Sequence, residues 1–501
     1  MSEIVDLLVI GGGINGAGIA RDAAGRGLSV MLCEKGDLAE ATSSRSGKLV
    51  HGGLRYLEYY EFRLVREALI EREVLLNAAP HIIWPMRFVL PHSPDDRPAW
   101  LVRLGLFLYD YLGGRQKLPG TRVLDLHRDP EGAPIKDSYR KAFEYSDCWV
   151  DDARLVILNA LDAKHKGADI RTRTACVSLR RHGHSWQAEL RNERNSARQT
   201  VEAKAVVNAG GPWVNDIVNR VAGGNSKRSV RLVKGSHIIT PKFWQGDHAY
   251  LVQNHDKRVI FINPYEGDKA LIGTTDIPYD ARVEDVVADE SEITYLIEAV
   301  NRYFTTPLQR SDVIESFAGV RPLFDDGQGN PSAVTRDYVF DLEDRDGLPL
   351  LNVFGGKITT FRKLAEHALH KLTPYFPNAG PDWTQAAHLP GGGLPEADPG
   401  QFMGQLKQRC PFLTPAMQGH FTRLYGTLAF EILRDVRSLA DLGENFGGGL
   451  FEAELRYLVE HEWAETAADV LERRTKYGLK LNPEQKRAVA TWLERQMTIA
   501  A

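Results

Sequence analysis

Cysteine is scarce. The chain has four in 501 residues, Cys33, Cys148, Cys176 and Cys410, widely separated and without a C-x-x-C pair. That excludes a disulfide framework and gives no ligand spacing for zinc or an iron–sulfur cluster, so no metal site is expected. Long apolar runs are missing as well. No stretch approaches the ~18 apolar residues of a spanning helix, and the first apolar run is too short for the core of a secretion signal. An excess of positive charge is absent too: 62 Lys and Arg stand against 66 Asp and Glu, for a net charge of −4. With no general basic field, nucleic acid is not expected as a partner. Internal repeats and low-complexity tracts are lacking. This composition suits a reducing cytoplasm, and the length suits roughly two to four domains.

What is present starts at Asp6-Leu-Leu-Val-Ile-Gly-Gly-Gly-Ile-Asn-Gly16, an apolar strand that runs into glycines and then a helix. Gly11 allows the sharp turn, Gly13 lets backbone approach a pyrophosphate, and Gly16 lets helix pack on strand. The helix, from about Ala17 to Ala24, would aim free N–H groups and its positive dipole end at the phosphates. A second strand, Ser29 to Cys33, ends at Glu34, about 20 residues beyond the glycines. A carboxylate there accepts from both ribose hydroxyls and repels a 2′-phosphate, which disfavours NADP.

Two later segments repeat the pattern of a strand stopped by small residues. They are Val206-Val-Asn-Ala-Gly-Gly-Pro-Trp213 and Val353-Phe-Gly-Gly-Lys-Ile-Thr-Thr360. A nicotinamide enzyme closes its site within one doubly wound unit, whereas three such segments along the chain favour a flavin. A helix start after Gly356 would face the flavin N1 and O2 edge and stabilise the charge that reduction brings.

Between these segments, the pattern predicts a long amphipathic helix from Glu61 to Asn77 and a helix near Trp100 to Leu112. The rest of 80 to 150 reads as loops and short strands. Asp151 and Asp152 read as caps of a helix to Lys166. Strands are expected at Ile170–Leu179, Trp186–Leu190 and Ala205–Asn208. Further strands at Arg231–Ile239, Arg258–Asn263 and Ala270–Gly273 suggest a mostly antiparallel sheet. The strand Leu350–Phe354 and the helix Thr360–Lys371 return to the nucleotide fold. Leu389 to Gly400 reads as a linker, and 401–501 shows only helical patterns.

The loop Ala41-Thr-Ser-Ser-Arg-Ser-Gly-Lys-Leu-Val-His-Gly-Gly-Leu-Arg-Tyr56 carries hydroxyls, glycines and cations. Together with the G-G-G-I-N-G-A-G-I-A opening, it resembles the FAD-dependent glycerol-3-phosphate dehydrogenases of aerobic, respiratory bacterial type. Lys234-Gly-Ser-His237, Ser316-Phe-Ala-Gly-Val-Arg-Pro-Leu323, F-G-G-K-I-T-T-F-R-K-L-A-E and the tail Val470-Leu-Glu-Arg-Arg-Thr-Lys-Tyr-Gly478 extend the likeness over essentially the whole chain. The resemblance implies an α/β FAD-binding Rossmann-like domain of glutathione-reductase/D-amino-acid-oxidase type. A mostly antiparallel substrate domain and a C-terminal helical domain complete the expected architecture. The expected limits are 1–80, 150–220 and 335–385 for the first, 81–149 and 221–334 for the second, and 390–501 for the third. It also implies oxidation of sn-glycerol 3-phosphate to dihydroxyacetone phosphate, with electrons passed to ubiquinone. The enzyme would then sit peripherally on the cytoplasmic face of the inner membrane, against its lipid surface, with a homodimer allowed.

Expected cofactor contacts are Gly11, Gly13, Asn15, Gly16, Glu34, Thr42, Ser43, Ser44, Lys48, Leu49, His51, Gly52, Val177, Ala209, Gly210, Gly355, Gly356 and Thr359. A phosphorylated alcohol needs fixed cations, and Arg55 and Arg321 sit in loops framed by Gly and Pro where a guanidinium can hold a phosphate bidentately. No carboxylate neighbours Arg321 in sequence. Lys357 can hold a substrate oxygen or stabilise flavin charge, Thr359 can bind there or cap the helix, and Tyr56 can donate to phosphate or pack. The proton needs a base, for which His237 is preferred, with His51 as a flavin or outer contact and a lysine of depressed pKa as the other candidate. Arg321 and Lys357 join His237 in the expected catalytic set. Arg473, Arg474 and Lys476, close to Leu471, Tyr477, Leu479 and Leu481, read either as a solvated helix face or as a basic, apolar membrane contact. Rival readings are an oxygen-using glycerol-3-phosphate oxidase, an amino-acid or amine oxidase of the same fold, and a flavin-containing nucleic-acid-binding protein.

Overall fold

β1 (Ile4–Ile10) is fully buried from Leu7 onward. Its Leu7, Leu8, Val9 and Ile10 lie in register between the parallel strands Val30–Cys33 (β2) and Arg198–Asn208. This continuous apolar run is what a strand covered on both faces requires. In this computed structural model, which describes residues 4–93, 97–223, 228–325 and 337–500, β1 is central to an eight-stranded sheet. Five parallel strands run in the order 348–354, 198–208, β1, β2 and 169–171, flanked by antiparallel neighbours. Helix α1 (Ile14–Gly25) crosses from β1 to β2 and packs against Asp152–His165 and Phe361–Leu372. The boundary placed at 334/335 lies outside the described residues.

A second sheet of ten strands is antiparallel except where Ala249–Gln253 meets Ile83–His92. The sequence reading made 80–150 mostly loops and short strands. Instead, Ile83–His92 and Lys141–Val150 pair antiparallel over ten residues each. Pro85 and Pro91 concealed this strand. They are tolerated because the second neighbour touches only Phe88 and Val89, so neither proline faces a second ladder. The predicted strand Ile170–Leu179 is in fact two, Asp169–Arg171 and Thr174–His182, broken at Arg173 with φ +48°.

Asp151 caps its helix by accepting from the Arg154 amide at 3.1 Å. Asp152 does not. It is the first helical residue, and its carboxylate takes Lys48 Nζ at 2.7 Å and Ser46 Oγ at 2.7 Å. The segment 389–400 is no slack linker. Leu389 N–H donates to the Ala78 carbonyl at 2.9 Å, and a Cβ on Gly391 or Gly392 would strike the Tyr425 or Ala78 carbonyl. Its glycines serve close backbone approach. The C-terminal region is helical apart from a hairpin, Asn445–Gly447 with Leu450–Phe451, turned by Gly447, Gly448 and Gly449 at positive φ.

Candidate active site

The three glycine-ended strands converge. A Cβ on Gly11 would lie 2.6 Å from the Ala209 carbonyl, beside Gly210, and one on Gly16 would collide with the Gly11 carbonyl. The Asn15 amide donates to the Gly355 carbonyl at 3.1 Å, joining the first segment to the third, where Gly355 and Gly356 hold φ of +76° and +106°. Glu34 accepts from the Gly12 amide at 2.6 Å and the Gly36 amide at 2.8 Å. Burial raises its pKa, and these amides oppose the rise. Gly13 is the N-cap of α1 with no side-chain cap, and a Cβ there would meet only Ser43 Oγ, at 3.2 Å. The buried Asn15 Oδ1 has no hydrogen-bond partner among the described residues. An open N-cap, glycine walls and an orphaned buried acceptor fit a dinucleotide.

The Thr42–Tyr56 loop closes this cradle. Ser43 Oγ accepts from the Ile14 amide at 3.0 Å, and Thr42 Oγ1 donates to the Val320 carbonyl at 2.6 Å. Lys48 Nζ reaches the Ser44 carbonyl at 3.3 Å in addition to Asp152, and Leu49 is buried. Gly52 N–H donates to Tyr109 Oη at 2.7 Å. Val177 is the residue left out of the ladder between Cys176 and Ser178, in a hairpin whose Thr174 amide donates to the Glu34 carbonyl.

Strand pairing brings the substrate-side candidates to this cradle. His237 in Val230–Pro241 pairs with Gly273 and Phe317 and stacks on the Phe317 ring at 4.9 Å. Its nitrogens are buried without a hydrogen-bond partner among the described residues. Burial, then the positive charges of Arg321 and Lys48, lower its pKa to about 3, so the imidazole is neutral at physiological pH. Arg321 Nη2 pairs with Asp276 at 3.1 Å and donates to the Thr275 carbonyl at 2.7 Å. The carboxylate absent from its sequence neighbourhood is thus supplied by another strand end. Arg55 is half-buried and has no carboxylate partner among the described residues. Beside it, the Tyr56 ring lies 4.0 Å from Lys357 Nζ.

Thr359 caps no helix, since the α-helix starting at Phe361 has Thr360 as its N-cap. Its hydroxyl accepts from the His51 amide at 3.2 Å and lies 3.3 Å from the His51 carbonyl, which pins the loop to the third segment. Sequence reasoning missed Thr275, Asp276 and Phe317, whose roles arise from cross-strand pairing alone. It also missed Tyr109 and Asp147, which hold Gly52 from behind.

The Arg473 to Lys476 cluster is neither a solvated face nor a membrane contact. Arg473, Arg474 and Lys476 are buried. Arg473 Nε reaches Asp37 at 2.6 Å, Arg474 Nη2 reaches Asp37 at 2.8 Å, and Lys476 Nζ reaches Asp151 at 2.5 Å. These pairs fasten the C-terminal region to the nucleotide-binding sheet.

Residues 6–362 match the family described as FAD dependent oxidoreductase, and residues 383–498 match the C-terminal domain of alpha-glycerophosphate oxidase. The chain is similar to D-erythritol 1-phosphate dehydrogenase of Brucella abortus, 66% identical over 99% of both chains. It is also similar to aerobic glycerol-3-phosphate dehydrogenase of Escherichia coli, 51% identical over 98% of this chain and 97% of the relative. Among solved structures, glycerol-3-phosphate dehydrogenase of Bacillus halodurans complexed with FAD superposes with a TM-score of 0.76 at 27% identity. It covers 98% of this chain and 94% of its own.

Proposed function

The chain belongs to the FAD-dependent glycerol-3-phosphate dehydrogenase family, with FAD as cofactor, and we propose that it oxidises a short phosphorylated polyol. The alcohol next to the phosphate-bearing carbon becomes a ketone, and the electrons pass to ubiquinone in the inner membrane. Glycerol 3-phosphate, giving dihydroxyacetone phosphate, is the substrate that the family resemblance implies. D-erythritol 1-phosphate is the second reading, favoured by the 66% identity to a relative named for it. Both place a secondary alcohol beside a phosphoester, so one clamp serves either.

The observation that carries the proposal is the half-buried Arg55, which has no carboxylate partner among the described residues and is followed in its loop by Tyr56, whose ring lies against Lys357, together with a neutral buried histidine. Arg55 and Arg321 hold the phosphate, and Lys357 holds a substrate oxygen. His237 is the proposed acceptor of the hydroxyl proton, a role for which the substrate phosphate would have to offset the Arg321 and Lys48 charges that add to burial in lowering its pKa. Glu34 holds the adenosine ribose, and Gly11, Gly13 and the start of α1 hold the pyrophosphate. FAD, when bound, supplies the hydride acceptor.

Anaerobic mixing of the yellow enzyme with each polyol phosphate tests this. Flavin absorbance should bleach with at least one of them and recover on adding a ubiquinone analogue. Bleaching by amino acids instead would reject the reading, and recovery only with oxygen would make the enzyme an oxidase.

A further inference from the structure

Of the motif Lys234-Gly-Ser-His237, only His237 has a task in the reaction proposed above. Alternation along the strand Val230–Pro241 puts Gly235 on the His237 face and turns Lys234 and Ser236 to the other. Lys234 is buried there, and its ammonium reaches Glu292 Oε2 at 2.7 Å and Asp289 Oδ2 at 3.0 Å, at the start of the helix Glu290–Tyr303. The second oxygen of the buried Glu292, Oε1, accepts from Thr275 Oγ1 at 2.7 Å. Thr275 Oγ1 in turn accepts from the Ser236 amide at 2.9 Å, and the Thr275 carbonyl accepts from Arg321 Nη2 at 2.7 Å. Lys234, Glu292, Thr275 and Arg321 form one chain of contacts, which begins behind the sheet and ends at a guanidinium given to the substrate phosphate.

We infer that the buried Lys234–Glu292 pair positions Arg321 for phosphate by way of Thr275, which makes Lys234, Glu292 and Thr275 positioning residues of the site. Strand pairing alone leaves this point loose. His237 pairs with Gly273 and Lys234 with Ile277, so the three residues Thr274 to Asp276 face only two, Gly235 and Ser236. An extra residue on one strand interrupts the ladder and re-aims its neighbours. Here it turns the Thr275 carbonyl and the Asp276 carboxylate towards Arg321. The Thr275 hydroxyl fixes the displaced backbone: it accepts from Ser236 and gives its single hydrogen to Glu292. An ionised acceptor makes that bond roughly twice as strong as a neutral one, and Lys234 supplies the countercharge that a buried carboxylate requires. Gly235 completes the seat, since a Cβ there would lie 2.7 Å from Arg321 Nη2. Glu292 also closes a capping box with Asp289. Capping is served by Glu or Gln alike, whereas positioning through Lys234 needs the charge. The inference rests on the phosphate role given to Arg321 in the function proposed above.

The test compares Glu292→Gln, Thr275→Val and Thr275→Ser in the full-length, FAD-loaded enzyme. Anaerobic flavin bleaching is followed with the polyol phosphate and with the parent polyol, and inorganic phosphate is titrated as a competitive inhibitor. Glu292→Gln and Thr275→Val should lower kcat/KM for the polyol phosphate on the order of tenfold, a part of what loss of the guanidinium itself would cost. The parent polyol should be used as well as before, and inhibition by inorganic phosphate should weaken in the same proportion. Thr275→Ser keeps the hydroxyl and should restore wild-type kinetics. In an Arg321→Ala background neither change should add to the loss, because both act through that side chain. Flavin content and thermal stability are measured alongside, and where Thr275→Val does not fold, the isosteric Glu292→Gln decides. Wild-type kinetics in Glu292→Gln, equal losses on the two substrates, or losses that add in full to Arg321→Ala would each overturn the positioning role while leaving the proposed function standing. Equal losses on the two substrates in Arg321→Ala itself would remove the phosphate assignment, and the positioning role with it.

Discussion

Replacing Arg55 by alanine removes a guanidinium that is half-buried and paired with no carboxylate among the described residues. Nothing is left stranded in the free enzyme, so folding, flavin content and thermal stability should be close to wild type. The loss should appear only when phosphate binds. A charge-assisted hydrogen-bonded contact contributes about 1.5 to 3 kcal/mol, which at 1.4 kcal/mol per decade lowers kcat/KM by about 12- to 140-fold. Arg55→Lys should recover part of this, because an ammonium restores charge without the planar fork. Arg321→Ala should show a kinetic loss of the same order together with lower thermal stability, since it also breaks the 3.1 Å pair with Asp276. The assay is stopped-flow flavin bleaching, normalised to bound FAD, with the polyol phosphate and the parent polyol compared. Equal proportional losses on the two substrates in Arg55→Ala would refute the phosphate assignment.

His237→Asn should slow flavin reduction roughly 10²- to 10⁴-fold with unchanged flavin content, because a hydrogen-bonding side chain remains while the proton acceptor is lost; a wild-type rate would move the role to Lys357 or His51. Gly13→Val should fold but lose the absorbance near 450 nm, since only Ser43 Oγ lies close to a Cβ there and the branched chain takes the phosphate space; full flavin occupancy would misplace the fingerprint. His81 is buried between Gly391 and Gly426, and burial, then Arg154 and Arg423, lower its pKa from 6.5 to about 3. Its unfolded state takes the proton first, so its contribution is complete above about pH 6.5 and is lost by up to about 1.4 kcal/mol per unit as pH falls towards 3. His81→Leu should therefore make thermal inactivation less steep between pH 6 and pH 4, and an unchanged slope would sink this linkage. Asp37→Ala leaves buried Arg473 and Arg474 without their shared carboxylate, at a cost of about 3 to 5 kcal/mol. Faster thermal inactivation, with early proteolysis of the C-terminal region, is the expected readout, and wild-type half-lives would show the pair to be dispensable.

The sequence by itself determined the nucleotide fold. An uninterrupted apolar strand, a glycine turn and an acid after the second strand are local consequences of backbone geometry, so Gly11, Gly13, Gly16 and Glu34 could be placed from spacing alone. Antiparallel strands such as Arg231–Ile239 were likewise legible from their apolar pattern. What only the tertiary structure decided is pairing between residues far apart in the chain. The ten-residue strand Ile83–His92 was hidden by two prolines that only a missing second neighbour permits. The carboxylate on Arg321 comes from Asp276, a residue 45 positions away that the pairing of three strands brings together. Burial decided the rest. Arg473, Arg474 and Lys476 look like a basic surface in one dimension and are interior ion pairs in three. A linear pattern specifies which side chains share a face, and only the packed chain specifies what that face meets.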